Sequence, residues 1–382
     1  MLLKGALSGI TVLDMSRLLP GPYCSMILAD HGARVIAIED RRFEAESALT
    51  RIVNRNKEHM SLNLKTDAGK TIFYELVKKA DVIIEGFRPG VVDRLSVNYE
   101  HIKAINEKII YCSITGYGQT GAYRDRVGHD VNYLSVSGVL NLIGQHNQPP
   151  SIPGVQLADI AGGAMNATIG ILLALFAREK TGIGQYIDIS MTDGMVGLLP
   201  LPLSFLQFTG KEPERSEGLL SHRYACYNVY ETADGRYLSL GAVEYRFWQK
   251  ICEVFGVKEY IPFQYDDSRR HTIIEYFRNK IKEKTLSEWE HELNAQEICW
   301  APVRTLSEVL QDSLFQERQM IVRTSDNSSP FSLTIGVPIK LSTTPGSVRT
   351  LPPEFGHNTE LILKELGYSI SDIQEFQSAG VV

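Results

Sequence analysis

The first 130 residues alternate short β-branched runs with longer runs of helical spacing, and this alternation restricts the possible fold more than any other feature. Strand-like runs occupy 10–14, 34–39, 81–85 and 108–113, and helix-like runs occupy 23–30 and 68–79. Strands that alternate with helices of this length indicate parallel βαβ units. We therefore predict an α/β fold with a large, open, mostly parallel sheet and helices on both faces. Ligands are expected beyond the carboxyl ends of its strands.

A second pattern begins near residue 222. Alternating apolar residues flank an Ala-Asp-Gly turn at 233–235, which predicts a β-hairpin, and helical runs follow at 246–255 and 272–283. At 382 residues the chain exceeds the size at which a single core stops growing, so two domains are expected.

These patterns set the predicted domain boundaries. A large domain covers residues 1–205, and a small α+β domain covers 222–325. The tail, 330–382, has no core of its own and is expected to pack back on the large domain and complete it. Linkers are placed at about 206–221 and 326–335.

The composition narrows the class of partner. The net charge of −6 and the pI near 5.9 disfavour nucleic acid, which needs a basic surface. The five cysteines are widely spread without CxxC spacing, which indicates a reducing compartment and neither a disulfide framework nor a zinc site. Two apolar runs, 165–177 and 195–208, are interrupted by Asn, Gly or Pro, so we interpret them as core and not as membrane spans. The start of the chain lacks the pattern of a signal peptide, and a cytoplasmic protein is expected.

The usual fingerprints of α/β enzymes are missing from the sequence. The first strand-to-helix turn reads SRLLPGPY at 16–23, where a dinucleotide-binding fold would carry GxGxxG. No GxxxxGK[ST] loop, HExxH pair or GxSxG elbow occurs either. A nicotinamide-dependent or metal-dependent enzyme is therefore disfavoured, and no metal site is predicted.

Segments from most of the chain resemble CoA-transferase family III, also called the CaiB/BaiF type. They are GITVLDMSRLLPGPYCSMILADHGARVIAIE at 9–39, the AD-V-IEGFRPGV run at 80–91, ITGYGQTG at 114–121, TGIGQYIDISMTDG at 181–194 and LPPEFGHNTELILKELGY at 351–368. The resemblance implies a large α/β domain built from both ends of the chain, with a small domain inserted between. It also implies a homodimer with interlocked subunits, an acyl-CoA substrate, and no cofactor beyond the coenzyme A of that substrate.

Three further segments resemble the α-methylacyl-CoA racemase branch of that family. They are GHDVNYLSVSGVL at 128–140, LADIAGG at 157–163 and DGRYLSLGAVE at 234–244. In this branch a histidine and an aspartate exchange the α-proton of a 2-methylacyl-CoA, and the resemblance gives these roles to His129 and Asp159. It adds Asp130, which follows the histidine, and the accessory Glu244 as catalytic residues.

The same resemblance assigns the coenzyme A phosphates to four basic residues. Arg55 and Lys57 lie in the NRNK segment, and Arg88 and Arg94 lie in FRPGVVDRL. Each could equally be a solvated surface charge, which is what most such residues are.

A helical pattern from Ile160 to Phe176 follows Asp159, with Gly162 and Gly163 in its first turn. Glycine lets a ligand approach the backbone closely, and free N–H groups at a helix start stabilise an anion. We hypothesise that the thioester carbonyl oxygen, or the enolate oxygen formed from it, binds at this helix start.

The racemase chemistry explains why these residue types are needed. Inverting a stereocentre beside a thioester requires two acid/base groups on opposite sides of the carbon, and a group that holds the enolate oxygen. A histidine and a carboxylate suit this, because histidine titrates near neutral pH and is found in either state.

Each catalytic candidate also has a plain structural interpretation. Asp159 could be a helix N-cap that contributes about 1 kcal/mol, and His129 could be a turn residue bonded to the backbone. Asp130 could orient His129 or cap a helix. Glu244 follows a predicted strand, where an exposed carboxylate is ordinary.

Two other functions remain open at this point. A CoA-transferase of the same fold would use Asp159 as a nucleophile towards the acyl thioester and would have no evident need of His129. A non-catalytic acyl-CoA-binding protein is disfavoured because Asp159 is present. The presence of His129 together with Glu244 favours the racemase, and the sequence does not specify the acyl group.

Overall fold

A computed structural model describes residues 5–45, 51–323 and 332–382. The described residues form two compact units, a large one from 1–137, 153–198 and 313–382 and a small one from 138–152 and 199–312. The predicted linker at 206–221 lies within the small unit, and residues 326–331 of the other predicted linker lie outside the described residues.

The large unit is built on a six-stranded sheet whose neighbouring strands are all parallel. Its strands are β1 (Thr11–Asp14), β2 (Arg34–Glu39), β3 (Glu58–Ser61), β4 (Val82–Glu85), β5 (Ile110–Thr115) and β6 (Tyr186–Ser190). The strand order is β3-β2-β1-β4-β5-β6, so the direction of winding reverses between β1 and β4. The predicted open parallel α/β fold is confirmed. Open sheets of this kind bind ligands at the carboxyl ends of the strands beside such a reversal.

Helices cover both faces of this sheet. The helices of the large unit are α1 (Pro20–Asp30), α2 (Asp67–Val77), α3 (Val91–Arg94), α4 (Tyr99–Ile105), α5 (Asp130–Val136), a π-helix (Ala158–Met165), α6 (Asn166–Thr181), α7 (Met191–Val196), α13 (Ser313–Glu317), α14 (Thr359–Glu365) and α15 (Ile370–Ser378). All six residues of β5 are buried, as expected for a strand covered on both sides.

The two faces have different partners. On one face, Leu13, Ile83 and Tyr111 share a core with α2, α4, α14 and α15. On the other face, α1 packs on β1 and β2, and α6 packs on β5 and β6. The C-terminal helices therefore complete the core that the N-terminal strands begin. A short antiparallel pair, β10 (Ile321–Arg323) and β11 (Leu333–Ile335), also belongs to the large unit.

The small unit contains a three-stranded antiparallel sheet of β7 (Tyr227–Glu231), β8 (Tyr237–Gly241) and β9 (Trp300–Pro302). The predicted hairpin is present, and Gly235 in its turn has a φ of 70°. The helices of this unit are α8 (Pro200–Thr209), α9 (Tyr245–Val254), α10 (Arg270–Ile281), α11 (Leu286–Leu293) and α12 (Leu306–Gln311). Its core is aromatic and centres on Trp248, Phe277 and Trp289.

One apolar segment is longer than the sequence predicted. The π-helix and α6 join into 24 helical residues, Ala158–Thr181, which extend beyond the apolar run at 165–177 at both ends. Within the described ranges it is the one helix long and apolar enough for that, with 44% of its most apolar window buried. Core helices pass the same test of length and composition, so the finding is weak evidence for a membrane.

Candidate active site

The site is built from two helix starts in the large unit. His129 is the residue before α5, Asp130 is the first residue of α5, and Asp159 lies in the first turn of the π-helix. The Asp130 Oδ1 atom accepts a hydrogen bond of 2.9 Å from the backbone N–H of Asp159. Asp130 therefore satisfies one of the N–H groups that a helix start leaves without an intrahelical partner. The structure brings these three predicted residues together.

Asp159 has an environment unusual for a carboxylate. Burial, together with the nearby charge of Asp130, raises the pKa of Asp159 from 3.8 to about 6, while His129 acts to lower it. A carboxyl group of this kind can hold or release a proton near neutral pH, as general acid/base catalysis requires.

The peptide group between Gly128 and His129 is held by the first turn of α5. The Asn132 side chain accepts from the backbone N–H of His129 at 3.0 Å. The Tyr133 hydroxyl donates to the carbonyl oxygen of Gly128 at 2.5 Å. These two contacts hold the main chain that carries the exposed His129 ring.

Tyr133 is a site residue that sequence reasoning missed. It is 6% exposed, packs edge-on against Tyr117, and burial beside Asp159 raises its pKa to about 12. A Cβ atom on Gly116 would lie 2.4 Å from the Tyr133 ring, so only glycine fits there. The available signal was its position four residues after His129, which places it one helical turn along from the histidine.

The prediction that Gly162 and Gly163 let a ligand approach the backbone closely is wrong. A Cβ atom on Gly162 would lie 2.6 Å from the carbonyl oxygen of Met191, and one on Gly163 would lie 3.1 Å from Pro20 Cβ. The space beside both glycines is thus filled by α7 and α1, which leaves no room there for a ligand.

The helix start itself also differs from the prediction. Helical structure begins at Ala158, before Asp159, and the N–H groups of Asp159 and Ile160 are bonded to Asp130 and to the Gln156 carbonyl. Neither of these two N–H groups is free to hold an enolate oxygen, so that part of the hypothesis is wrong as well.

The basic pair Arg55 and Lys57 is buried and internally paired. Arg55 forms an ion pair with Asp30 at 2.7 Å. The Lys57 ammonium donates to the Pro22 carbonyl at 2.8 Å and lies 3.6 Å from Asp14. Burial lowers the pKa of Lys57 to about 8. The side chains of Arg55 and Lys57 are 4% and 0% exposed, and their partners lie in the protein interior. They are therefore not positioned to bind a phosphate, which corrects the prediction made for them.

Arg88 and Arg94 are exposed. Arg88 lies near enough to Tyr133 for its charge to act on the tyrosine, which places it at the edge of the site. Arg94 is the last residue of α3, and its guanidinium would lie 3.8 Å from a Cβ atom on Gly90. The structure therefore brings Arg88 near Tyr133, whereas the Arg94 guanidinium lies near Gly90.

A basic cleft at the carboxyl ends of β1, β2 and β3 was also missed. Its charged lining is Arg17, Arg42, Lys65, Glu39 and Asp40. Its apolar lining includes Met15, Phe43, Phe87 and Leu95. The cleft lies beside the reversal of strand order, where this class of sheet binds ligands. Within it Arg42 donates to Asp40 at 2.9 and 2.6 Å and Arg17 lies over the Phe43 ring, while Lys65 is exposed. Three cations against two carboxylates leave an excess of positive charge, which suits an anionic group. The available signal was Arg17 in the first strand-to-helix turn.

Comparison with known proteins assigns the family. The profile of CoA-transferase family III matches residues 7–359. The chain belongs to CoA-transferase family III. It is 34% identical to the alpha-methylacyl-CoA racemase of Homo sapiens, over 99% of this chain and 97% of that protein. It is 32% identical to the succinyl-CoA:mesaconate CoA-transferase of Haloarcula marismortui, over 94% and 96% of the two chains.

A solved structure supports the same assignment. The crystal structure of a CAIB/BAIF family protein from Brucella suis superposes with a TM-score of 0.84 at 28% identity, and the match covers 95% of this chain and 99% of that one. The relatives of this family III chain include both racemases and transferases, so it is an enzyme of the family, and the comparisons leave the specific reaction open.

Glu244 of this family III chain lies in the small unit, just before α9. Its side chain is exposed, and its backbone carbonyl accepts from the N–H groups of Phe247 and Trp248. Its accessory catalytic role stays a prediction. Among the described residues, no three His, Cys, Asp or Glu side chains are grouped as metal ligands.

Proposed function

We propose that this protein is a racemase or epimerase of 2-methylacyl-CoA thioesters that exchanges the α-proton through an enolate, with His129 and Asp159 as the two bases. The observation that carries the proposal is the pairing of a histidine with a carboxyl group whose pKa burial raises to about 6. Each partner can then begin the reaction as a base while the other begins as an acid.

The proton balance follows from that pairing. For one enantiomer, the Asp159 carboxylate removes the α-proton, and the electron pair of the C–H bond forms the enolate. The His129 imidazolium then gives a proton to the opposite face of the α-carbon. For the other enantiomer the two residues exchange roles. The N–H of Asp130, at the start of α5 and beside both residues, is a suitable donor to the enolate oxygen.

The basic cleft provides for the coenzyme A portion. Phe87 lines this cleft, and the next residue, Arg88, acts on Tyr133 beside Asp159. An extended ligand could therefore place phosphates near Arg17 and Lys65 and its thioester at the acid/base pair. The acyl group itself stays unspecified.

A CoA-transferase is the second candidate, favoured by relatives such as the Fusarium pseudograminearum acyl-CoA transferase, 31% identical over 99% of this chain. In that reaction Asp159 would attack the acyl thioester, forming an acyl–aspartyl anhydride and releasing CoA as the thiolate. The CoA thiolate would then attack the aspartyl carbonyl, releasing the donor acid as its carboxylate and leaving an aspartyl–CoA thioester. The acceptor carboxylate would attack that thioester and release the CoA thiolate again, which would attack the acceptor carbonyl of the new anhydride to give the product acyl-CoA and free Asp159. His129 has no required part in these steps.

One experiment separates the two reactions. A single enantiomer of a 2-methylacyl-CoA is incubated with the protein in deuterated water without any free carboxylic acid, and the α-proton is followed by NMR. The racemase predicts deuterium at the α-position and loss of optical activity. His129→Ala should abolish the loss of optical activity, because inversion needs both bases, and should abolish exchange for the enantiomer whose proton goes to His129. The transferase predicts no exchange, and transfer of CoA to an added acid that survives His129→Ala but not Asp159→Ala.

A further inference from the structure

Glu85 is a buried acidic residue with no part in the mechanism above. It is the last residue of β4 and is 1% exposed. It lies in register with Ser113 of β5, which in turn lies in register with Asp188 of β6. Residues in register on adjacent strands point to the same face of a sheet, so these three polar side chains form a row at the carboxyl end of the sheet.

The hydrogen bonding of Glu85 is one-sided. Its Oε2 atom accepts from the backbone N–H of Phe87 at 2.7 Å. Among the described residues, its Oε1 atom and the Ser113 hydroxyl form no hydrogen bond of good geometry, although the two groups are close enough to interact and both atoms are buried. Burial raises the pKa of Glu85 to about 7, with Asp188 and Asp93 adding to the rise and Ser113 and the Phe87 N–H opposing it. A buried, poorly partnered carboxyl of this kind does not stabilise a fold, and an apolar side chain usually would.

The one strong contact of Glu85 holds a segment that matters for substrate. The Glu85–Phe87 hydrogen bond turns the chain at Gly86, directly after β4. Phe87 then lines the basic cleft, and Arg88 acts on Tyr133 beside Asp159. A change at Glu85 would therefore displace two adjacent residues. Phe87 lines the basic cleft, and Arg88 lies near Tyr133.

We propose that Glu85 is a positioning residue for coenzyme A: its carboxyl oxygen holds the Phe87 N–H and so keeps Phe87 in the cleft and Arg88 near Tyr133. This inference rests on the proposed acyl-CoA function. It assigns Glu85 no contact with the substrate and no proton transfer.

The test measures the affinity for free coenzyme A by calorimetry, together with kcat at saturating substrate. Glu85→Leu removes the acceptor and should weaken coenzyme A binding by about tenfold or more, with kcat within about threefold of the wild type. Glu85→Gln keeps an acceptor oxygen for the Phe87 N–H and should restore binding to within about threefold. Ser113→Ala is the matched control, because it alters the same buried row without touching Phe87, and it should bind like the wild type.

The outcomes separate the two proposals. The Glu85→Leu variant should unfold at the wild-type temperature or above. If the Leu variant does not fold, the Glu85→Met variant takes its place in the test. Wild-type binding by the apolar variant would overturn the positioning role, as would a Gln variant as weak as the Leu variant. Failure of the wild-type protein to bind coenzyme A would overturn the proposed function first, and the positioning role with it.

Discussion

The Asp130 carboxylate accepts a hydrogen bond of 2.9 Å from the backbone N–H of Asp159. One acidic residue thereby holds the main chain of another and at the same time raises the pKa of its side chain. The bond and the charge have separable effects, because an amide can replace the carboxylate as acceptor without carrying its charge.

Asp130→Asn should therefore keep the site folded and lower the pKa of Asp159. The acidic limb of the pH profile for α-proton exchange should move down by about 0.5–1 unit. The measurement is kcat/KM for deuterium exchange between pH 4.5 and 8. Asp125→Asn removes an exposed charge in the preceding loop and should leave the limb in place. An unmoved limb in the Asp130 variant would show that the Asp130 charge does not act on Asp159.

Asp159→Asn should abolish turnover and yet stabilise the protein. The folded-state pKa of about 6 lies above the unperturbed 3.8, so the folded protein binds more protons than the unfolded one between these values. Stability is therefore lost as the pH rises from about 4 to 6, and at pH 7.5 the Asn variant should gain about 1–2 kcal/mol, a figure reduced for partial solvent exposure. Chemical denaturation at pH 7.5 and pH 4 checks this. An equal gain at both pH values would rule out titration of Asp159 as the cause.

Tyr133→Phe should impair His129 more than Asp159. The change removes the hydroxyl that donates to Gly128, the residue before His129, and leaves the ring in place. We expect kcat to fall about 3–10-fold with KM nearly unchanged. Exchange should slow most for the enantiomer whose proton goes to His129, which NMR of each pure enantiomer measures. Tyr123→Phe, at an exposed tyrosine nearby, is the control, and equal slowing of both enantiomers would contradict the expectation.

Lys65→Gln should weaken coenzyme A binding without affecting the acid/base chemistry. Lys65 lies in the basic cleft and is expected to meet a phosphate. Calorimetry should give a Kd about 3–10-fold higher, with a smaller dependence on salt than in the wild type. Lys79→Gln removes an exposed lysine after α2 and should change neither value. An unchanged salt dependence in the Lys65 variant would place the phosphates elsewhere.

Gly162→Ala should destabilise the protein by about 1–3 kcal/mol, because its new methyl group would meet the Met191 carbonyl oxygen at 2.6 Å. Gly154→Ala is the matched control, since nothing lies within 4 Å of a Cβ atom there. Urea denaturation compares the two variants. A neutral Gly162 variant would mean that α7 can move away from the π-helix at little cost.

The strands rich in β-branched residues were predictable from the sequence. The run at 34–39 corresponds to β2, and those at 10–14 and 81–85 fall within one residue of β1 and β4. The strand β3 was missed because its sequence, EHMS, has little β-propensity of its own. Its place is set by pairing with β2 and by the ion pair between Glu58 and Arg34, neither of which local sequence reveals.

The site divides in a similar way. His129, Asp130 and Asp159 followed from the family resemblance, and the structure brings them together. The environment of Glu85 could not be predicted, because its burial depends on neighbours far along the chain. Arg55 and Lys57 were misassigned for the same reason. The sequence shows their positive charges, but it does not show that folding buries Arg55 in an ion pair with Asp30.

The π-helix has a consequence for how this chain can change over evolutionary time. Its wider turns hold Asp159 at a particular angle ahead of α6. Loss of a single residue between Asp159 and Asn166 would restore ordinary α-helical winding and swing the carboxyl group by about 100° around the axis, away from Asp130. Substitutions here are limited only by packing, whereas any change of length would dismantle the site. Homologous enzymes that keep this chemistry should therefore tolerate different residues in this segment but neither insertions nor deletions.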